Sequence, residues 1–224
     1  PDEGGWVAVS DADHGVRASI SAANPYKASF NYDQIAARND DPLAAQCRGL
    51  VLTTADATPF PASGPCGELF VLARPMDRFF NLGHGPGGSA VVSDDELSQP
   101  DARVYEKLDG TLCIVYFDPF IPNQGELGDP SNPASYGDWC VATRSVADAD
   151  RVIDGFGDHT FRSLFEEALV DAGTTWRELT ELLDIRTTYC FELTSPRAGS
   201  GVVAYDQNKI WLLAARERNG AEVC

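Results

Sequence analysis

Lys107 lies in the run Val104-Tyr105-Glu106-Lys107-Leu108-Asp109-Gly110-Thr111, between one apolar stretch and a second that is β-branched and aromatic. The chain has only three lysines in 224 residues, and this one follows an acid and stands two residues before an Asp-Gly pair. Asp-Gly suits the positive φ of a tight turn, so the pattern predicts two strands joined at residues 108–110. A lysine at a rigid strand end is a candidate nucleophile if its amine loses its proton easily.

The order Lys-x-Asp-Gly also resembles the nucleophile motif of the covalent nucleotidyltransferases, which include ATP-dependent DNA and RNA ligases and RNA capping enzymes. Four residues alone are a weak signal, and the plain alternative is a hairpin that carries a surface lysine. The rest of the chain has to decide between the two interpretations.

Composition restricts the class of protein. The length predicts one large domain, or one domain with a small appendage, and 43% hydrophobic residues are enough for a core. The sequence contains no run of 18 apolar residues, so no membrane span is predicted. It also lacks a basic start followed by an apolar stretch, so no signal peptide is predicted. The six cysteines form no Cys-x-x-Cys pair, which argues against structural zinc and for a reduced, cytoplasmic setting.

The net charge of −17 bears on the substrate. Proteins that bind nucleic acid usually present a basic face, because phosphate contacts supply much of the affinity. Two interpretations remain open. Either the protein does not bind nucleic acid, or a few of its 14 arginines line one groove on an otherwise acidic, salt-adapted surface.

The fold class follows from the order of elements. Residues 159–172 show helical periodicity, and Thr175 to Glu178 and Ser93 to Glu96 form capping boxes. The glycine run 83–89 lacks phosphate-loop spacing and is interpreted as a flexible loop, and residues 118–138 as a long connection or insertion. Strands are predicted at 47–52, 69–74, 139–145, 187–193, 201–205 and 209–215. These elements predict an α+β domain of mostly antiparallel sheet with inserted helices.

Five blocks in order make a wider resemblance. They are Asn31-Tyr32 with Cys47-Arg48-Gly49-Leu50-Val51, Arg78-Phe79-Phe80-Asn81-Leu82, Glu106 to Leu112, Ala142-Thr143-Arg144-Ser145, and Tyr189 to Leu193 with Ser195-Pro196 and Val202-Val203-x-Tyr205. The chain therefore resembles the adenylyltransferase domain of ATP-dependent RNA ligases of the bacteriophage tRNA-repair type. The resemblance covers roughly residues 24–220 and implies a nucleotidyltransferase (ATP-grasp-like ligase) domain.

The resemblance implies a reaction and its participants. Lys107 would attack ATP to form lysyl-AMP with Mg²⁺ present, AMP would pass to an RNA 5′-phosphate, and a 3′-hydroxyl would then seal the strand. The partners implied are ATP and RNA ends, with no membrane, and the oligomeric state stays open. Two alternatives remain: another lysyl-nucleotidyl transferase, such as a DNA ligase or a capping-type enzyme, or a module that only binds nucleotide or RNA ends.

The remaining site residues are carried over by motif. The nucleotide-binding set implied is Glu106, Asp109, Gly110, Arg48, Arg78, Phe80, Arg144 and Glu192. Glu192 would bind ribose hydroxyls or the metal, and Arg48 would bind phosphate. Each has a structural alternative, such as a surface ion pair or a core ring. Tyr205 and Trp211 are interpreted as core aromatics rather than as rings that stack on adenine.

Three departures from the family pattern affect these expectations. Arg78 stands where the family usually has Lys, and Thr143-Arg144-Ser145 replaces Thr-Lys-Gly-Ser. Both changes keep the positive charge and add a planar fork suited to phosphate. The family's E-G-x-V strand and closing K-x-K pair would lie beyond Cys224. We therefore expect residues 1–224 to be an adenylyltransferase domain that is incomplete at its C-terminal end.

Overall fold

Two antiparallel sheets form the frame of the protein in the computed structural model, which describes residues 7–11, 13–21, 24–54, 59–60, 67–81, 94–122, 136–150, 158–197 and 203–223. The first sheet has the order β1-β2-β3-β4-β5, with β1 Val7–Asp11, β2 Val16–Ile20, β3 Lys27–Tyr32, β4 Arg48–Thr54 and β5 Leu69–Ala73. The second has the order β7-β6-β8-β9, with β6 Thr111–Pro122, β7 Tyr136–Thr143, β8 Thr187–Thr194 and β9 Lys209–Glu217. The predicted α+β class is confirmed.

Strand β6 shows how the layers pack. Its residues alternate between two faces, as strand geometry requires. Leu112, Ile114 and Tyr116 pack with Val51 and Leu72 of the first sheet, so this face lies between the sheets. The opposite face carries Cys113 and Val115, and these pack against the buried side of a helix. Strand β6 is therefore covered on both faces.

The four helices are α1 Pro42–Gln46, α2 Asp94–Leu97, α3 Phe161–Asp171 and α4 Trp176–Leu182 among the described residues. Helix α3 buries Leu164, Phe165, Ala168 and Leu169 against the second sheet, as the periodicity predicted. It ends before Gly173, whose φ of +83° is in the left-handed region. The predicted capping box at Thr175 and Glu178 is present at the start of α4.

The hairpin predicted around Lys107 is wrong. Residues 102–109 form no strand, and Val104 and Tyr105 are 96% and 76% exposed. Both edges of β6 are already paired, one with β7 and the other with β8, so no edge is left for the preceding residues. The turn chemistry also differs, because Gly110 is not among the glycines with positive φ in the described chain.

Other boundaries differ as well. The connection predicted at 118–138 is shorter, since β6 runs to Pro122 and β7 begins at Tyr136. Residues 203–205 of the strand predicted at 201–205 are irregular. The predicted strands at 47–52, 69–74, 139–145, 187–193 and 209–215 are confirmed within a few residues, although β7 begins three residues early. The glycine run 83–89 and the cap residue Ser93 lie outside the described residues.

A buried lysine joins the two sheets. Lys27 of β3 is 2% exposed, and its Nζ lies 2.8 Å from Asp118 Oδ2 and 3.3 Å from Asp148 Oδ1. The Ser21 hydroxyl donates to Asp148 at 2.6 Å. A buried charge is tolerated only when it is paired in this way.

Within the described ranges, no helix is long and apolar enough to cross a membrane.

Candidate active site

The cleft around Lys107 has a volume of about 850 Å³. The start of β4, the segment after β5, residues 105–108, β8 and β9 meet there. Its lining residues are Arg48, Met76, Phe79, Tyr105, Glu106, Lys107, Leu108, Glu192, Trp211, Leu212 and Leu213. Clefts of this size accommodate small molecules, with apolar walls and a few convergent polar groups. Four residues predicted from the motifs, Arg48, Glu106, Lys107 and Glu192, share this cleft.

Gly110 brings the Lys107 segment against strand β8. A Cβ at this position would overlap the carbonyl oxygen of Leu193, so only glycine allows the approach. The Gly110 N–H donates to Glu192 Oε1 at 3.0 Å. The glycine of the motif is therefore required for close packing between backbones, and not for a turn with positive φ.

Glu192 is a partly buried acid within β8, opposite Leu112 on one side and Trp211 on the other. Burial raises the pKa of its carboxyl group, while the Gly110 hydrogen bond and the positive charges of Arg48 and Lys107 oppose that rise. Glu192 therefore shares the cleft with two positive charges that favour its ionised form.

Arg48 presents an unsatisfied donor at the cleft. It is the first residue of β4, and its guanidinium carbon lies 4.7 Å from the Phe79 ring centroid. Burial lowers its pKa, and its Nη1 is buried without a hydrogen-bond partner among the described residues. An unpaired buried donor of a charged group is costly, and an anionic ligand would satisfy it. Gly49, with φ of +94°, lets this end of β4 approach Arg144 closely.

The other arginines predicted from the motifs lie on a neighbouring surface. Arg78 stacks on the rings of Tyr32 at 4.5 Å and Phe80 at 4.8 Å, and its Nη2 donates to Asn39 Oδ1 at 2.9 Å. Arg144 lies 5.4 Å from the same Tyr32 ring. Among the described residues, the lining of the cleft does not include Arg78, Phe80 or Arg144. The structure brings these three side chains together around Tyr32 instead.

Sequence reasoning missed part of the cleft wall. Met76, Phe79 and the exposed β9 residues Leu212 and Leu213 line it without having been predicted. The interpretation of Trp211 as a core residue is wrong, since it is 42% exposed and lines the cleft. Three adjacent apolar residues, 211–213, in a strand at the edge of a sheet were a usable signal, because ordinary alternation would place one of them in water.

Asp109 does not line the cleft among the described residues, and it contacts the irregular segment that precedes β9. Its N–H donates to the Tyr205 hydroxyl at 3.1 Å, and one of its carboxylate oxygens accepts the Val203 N–H at 3.2 Å. Within the described parts of the chain, no group of three or more His, Cys, Asp or Glu residues could hold a metal ion. The described residues therefore form no metal site made of protein ligands alone.

Comparison with known proteins gives two findings. Residues 46–222 match a family model described as RNA ligase. A curated relative from Autographa californica nuclear polyhedrosis virus, named "Putative bifunctional polynucleotide kinase/RNA ligase", is 29% identical over 193 residues. That alignment covers 84% of this chain and 23% of the relative, so the chain spans about a quarter of the relative's length.

Proposed function

Because the chain belongs to the RNA ligase family, we propose that it performs the adenylyltransferase chemistry of an ATP-dependent RNA ligase, with Lys107 as the nucleophile. The observation that carries this proposal is one cleft lined by Lys107 and by Arg48, whose buried Nη1 has no hydrogen-bond partner among the described residues. A nucleophilic amine and an anion-binding donor in one apolar cleft suit attack on a nucleotide phosphate. The nucleotidyltransferase fold is part of the same proposal.

The first step forms a bond between Lys107 Nζ and the α-phosphorus of ATP. The bond from that phosphorus to pyrophosphate breaks, and the amine proton leaves to solvent. Arg48 binds phosphate oxygens as negative charge moves onto pyrophosphate. Phe79 and Trp211 line the cleft and offer ring faces to the adenine.

Glu192 binds the ribose or a metal ion. Its Oε1 already accepts the Gly110 N–H, which fixes the carboxylate in the cleft. Mg²⁺ is commonly held by one or two carboxylates together with substrate phosphates and water. A single carboxylate therefore suits Mg²⁺ better than a metal ion that takes all its ligands from the protein. When bound, Mg²⁺ would neutralise charge on the phosphates.

The later steps use RNA ends. AMP passes from Lys107 to a 5′-phosphate, and a 3′-hydroxyl then attacks the activated phosphate and releases AMP. Arg78 and Arg144 supply positive charge beside the cleft on an otherwise acidic protein, where RNA phosphates could be bound. The substrate class is RNA with a 5′-phosphate and a 3′-hydroxyl, as a broken tRNA would supply after end repair.

A covalent adduct tests the proposal. The whole natural protein is incubated with ATP and Mg²⁺ and mapped by mass spectrometry, with Lys107→Arg as the matched variant. We expect AMP on Lys107 in the wild type and none in the variant, followed by sealing of nicked RNA. Adduct formation with GTP alone would favour a capping-type enzyme, and sealing restricted to DNA would favour a DNA ligase. AMP on another residue, or no adduct in the wild type, would contradict the proposal.

A further inference from the structure

The backbone that carries Lys107 lies outside both sheets. Residues 102–109 pair with no strand in the described parts of the chain, and Val104 and Tyr105 are largely exposed. Segments with few buried contacts and solvated backbone open at low free-energy cost. A nucleophile displaced by about 1 Å can lose on the order of a hundredfold in rate. The contacts that hold this segment therefore decide whether Lys107 is in position.

Two hydrogen bonds from the segment before β9 hold Asp109, which lies two residues after Lys107. The Asp109 N–H donates to the Tyr205 hydroxyl at 3.1 Å, and the Val203 N–H donates to Asp109 Oδ2 at 3.2 Å. We call Asp109, Val203 and Tyr205 the tyrosine latch. Together with the bond from Gly110 to Glu192, the latch replaces the ladder of hydrogen bonds that a hairpin would have supplied.

The segment that supplies the latch is itself anchored. The Ser195 hydroxyl donates to Asn208 Oδ1 at 2.7 Å, which ties the end of β8 to the start of β9. Asn208 Nδ2 donates to Glu167 Oε2 of α3 at 3.2 Å, and Arg197 pairs with the same carboxylate at 3.0 Å. Tyr205 lies between these anchors, so its hydroxyl can fix Asp109.

We propose that Tyr205 is a positioning residue for Lys107: its hydroxyl fixes the Asp109 backbone and so holds the lysine amine at the cleft. This inference rests on the proposed function of Lys107. Tyr205 is not among the described residues that line the cleft, so it acts through Asp109 and not on the nucleotide. Loss of the hydroxyl should slow transfer to Lys107 without weakening ATP binding.

The test compares two tyrosines in the whole natural protein. Tyr205→Phe removes only the acceptor of the Asp109 N–H. Tyr189→Phe is the matched control, since its hydroxyl accepts the Asp184 N–H at 2.9 Å and it does not line the cleft among the described residues. The measurements are the dissociation constant for ATP, the single-turnover rate of lysyl-AMP formation, and hydrogen–deuterium exchange of residues 104–110.

For Tyr205→Phe we expect a rate lower by about tenfold, the order of one hydrogen bond, an ATP dissociation constant unchanged within about twofold, and faster exchange at 104–110. Tyr189→Phe should leave all three unchanged. The inference is overturned if Tyr205→Phe leaves rate and exchange unchanged, if ATP affinity falls in step with rate, or if Tyr189→Phe slows transfer equally.

Failure of the proposed function would look different. A wild type that forms no adduct on Lys107 removes the reaction, and a positioning role for Tyr205 falls with it. Faster exchange at 104–110 in Tyr205→Phe would still show that the latch holds the segment. Unchanged exchange with a normal wild-type adduct would instead reject the latch and leave the ligase chemistry intact.

Discussion

Lys27 and Lys107 stand in opposite surroundings. Lys27 lies between the two sheets at 2% exposure, with Asp118 and Asp148 within 3.3 Å of its Nζ. Lys107 is exposed on an irregular segment at the edge of a cleft that also contains Arg48 and Glu192. Each lysine has acidic neighbours, but only the first is enclosed by them.

The difference separates a lysine that is paired within the fold from the one that we propose as the nucleophile. Burial alone would lower the pKa of Lys27, but the negative charge that Tyr116, Cys140, Asp148 and Asp118 can carry raises that pKa above its usual value of 10.5. The amine therefore stays charged, and a charged amine cannot attack. Around Lys107 the charges are incompletely matched, because Arg48 Nη1 has no partner among the described residues. A donor without a partner, such as Arg48 Nη1 among the described residues, can bind an anionic ligand. Lys27 already has its acidic partners and offers no such contact.

The largest expected effects come from replacing each of the two lysines with methionine. Lys27→Met leaves Asp118 buried beside an apolar side chain, and breaking a buried pair in this way costs about 3–5 kcal/mol. Lys107→Met should change the free energy of unfolding by less than about 0.5 kcal/mol, as is usual at exposed positions. Urea unfolding of both variants measures this difference.

Activity should show the reverse order. Lys107→Met should abolish the AMP adduct, while the folded fraction of Lys27→Met should form it at the wild-type rate. If Lys27→Met proves as stable as the wild type, or if its folded fraction forms no adduct, the separation between a structural and a reactive lysine is wrong.

The second effect concerns the unmatched charge. Arg48→Ala should weaken ATP binding by about tenfold to a hundredfold, as expected for a charged donor that binds phosphate. Arg177→Ala is the control, since Arg177 is 87% exposed and pairs only with Glu181 in the interactions described. Calorimetric titration with ATP measures both. A melting temperature that drops in parallel with the affinity of Arg48→Ala would assign Arg48 to the fold instead.

The sequence predicted what depends on neighbouring residues. Helix α3 follows from the spacing of Leu164, Phe165, Ala168 and Leu169, and the α4 capping box from two residues three apart. The hairpin at Lys107 failed because β6 pairs with β7 and with β8, which lies more than 70 residues further along the chain. Local turn chemistry cannot report that both edges of a strand are already occupied.

In the site, too, local sequence motifs were predicted and contacts between residues distant in sequence were not. The motif residues Lys107, Glu106, Arg48 and Glu192 were predicted from the sequence as site residues, and the structure brings them into one cleft. Phe79 was not predicted, because a residue in an irregular segment gives no periodic signal of which side faces a cleft. The bond between Gly110 and Glu192 spans 82 positions in sequence, so no local pattern could predict it.

The third effect tests how closely the segment must approach β8. Gly110→Ala places a methyl group against the Leu193 carbonyl oxygen, and forced overpacking of this kind costs about 1–3 kcal/mol. The displaced segment should also form lysyl-AMP more slowly. Gly173→Ala is the control: its φ of +83° makes alanine strained, but there is open space around it, and it does not line the cleft among the described residues.

Melting curves and adduct rates should separate these two glycines. Both variants are expected to lose stability, but only Gly110→Ala should lose rate. Equal rates in the two variants would show that the contact with β8 contributes to folding alone and does not position Lys107.

The smallest effect is a pH dependence at Glu192. Its pKa is raised from 4.5, chiefly by burial, so the fold favours the neutral acid. For an acid with a raised pKa, the stabilising contribution is present below the unfolded value of 4.5 and is lost as the pH rises through the folded value. The charged carboxylate thus lowers stability at neutral pH, opposite in sign to the charged Lys27.

Glu192→Gln removes this charge and keeps an oxygen that can accept the Gly110 N–H. We expect its melting temperature to match the wild type below pH 4.5 and to exceed it slightly at pH 7. Lysyl-AMP formation should fall at pH 7 despite the added stability, because the amide cannot bind a metal ion as a carboxylate does. A variant that is less stable than the wild type at neutral pH would mean that attraction to Arg48 and Lys107 outweighs the cost of burial. Glu192 would then resemble the matched charges around Lys27, and the contrast between the two regions would not extend to their acids.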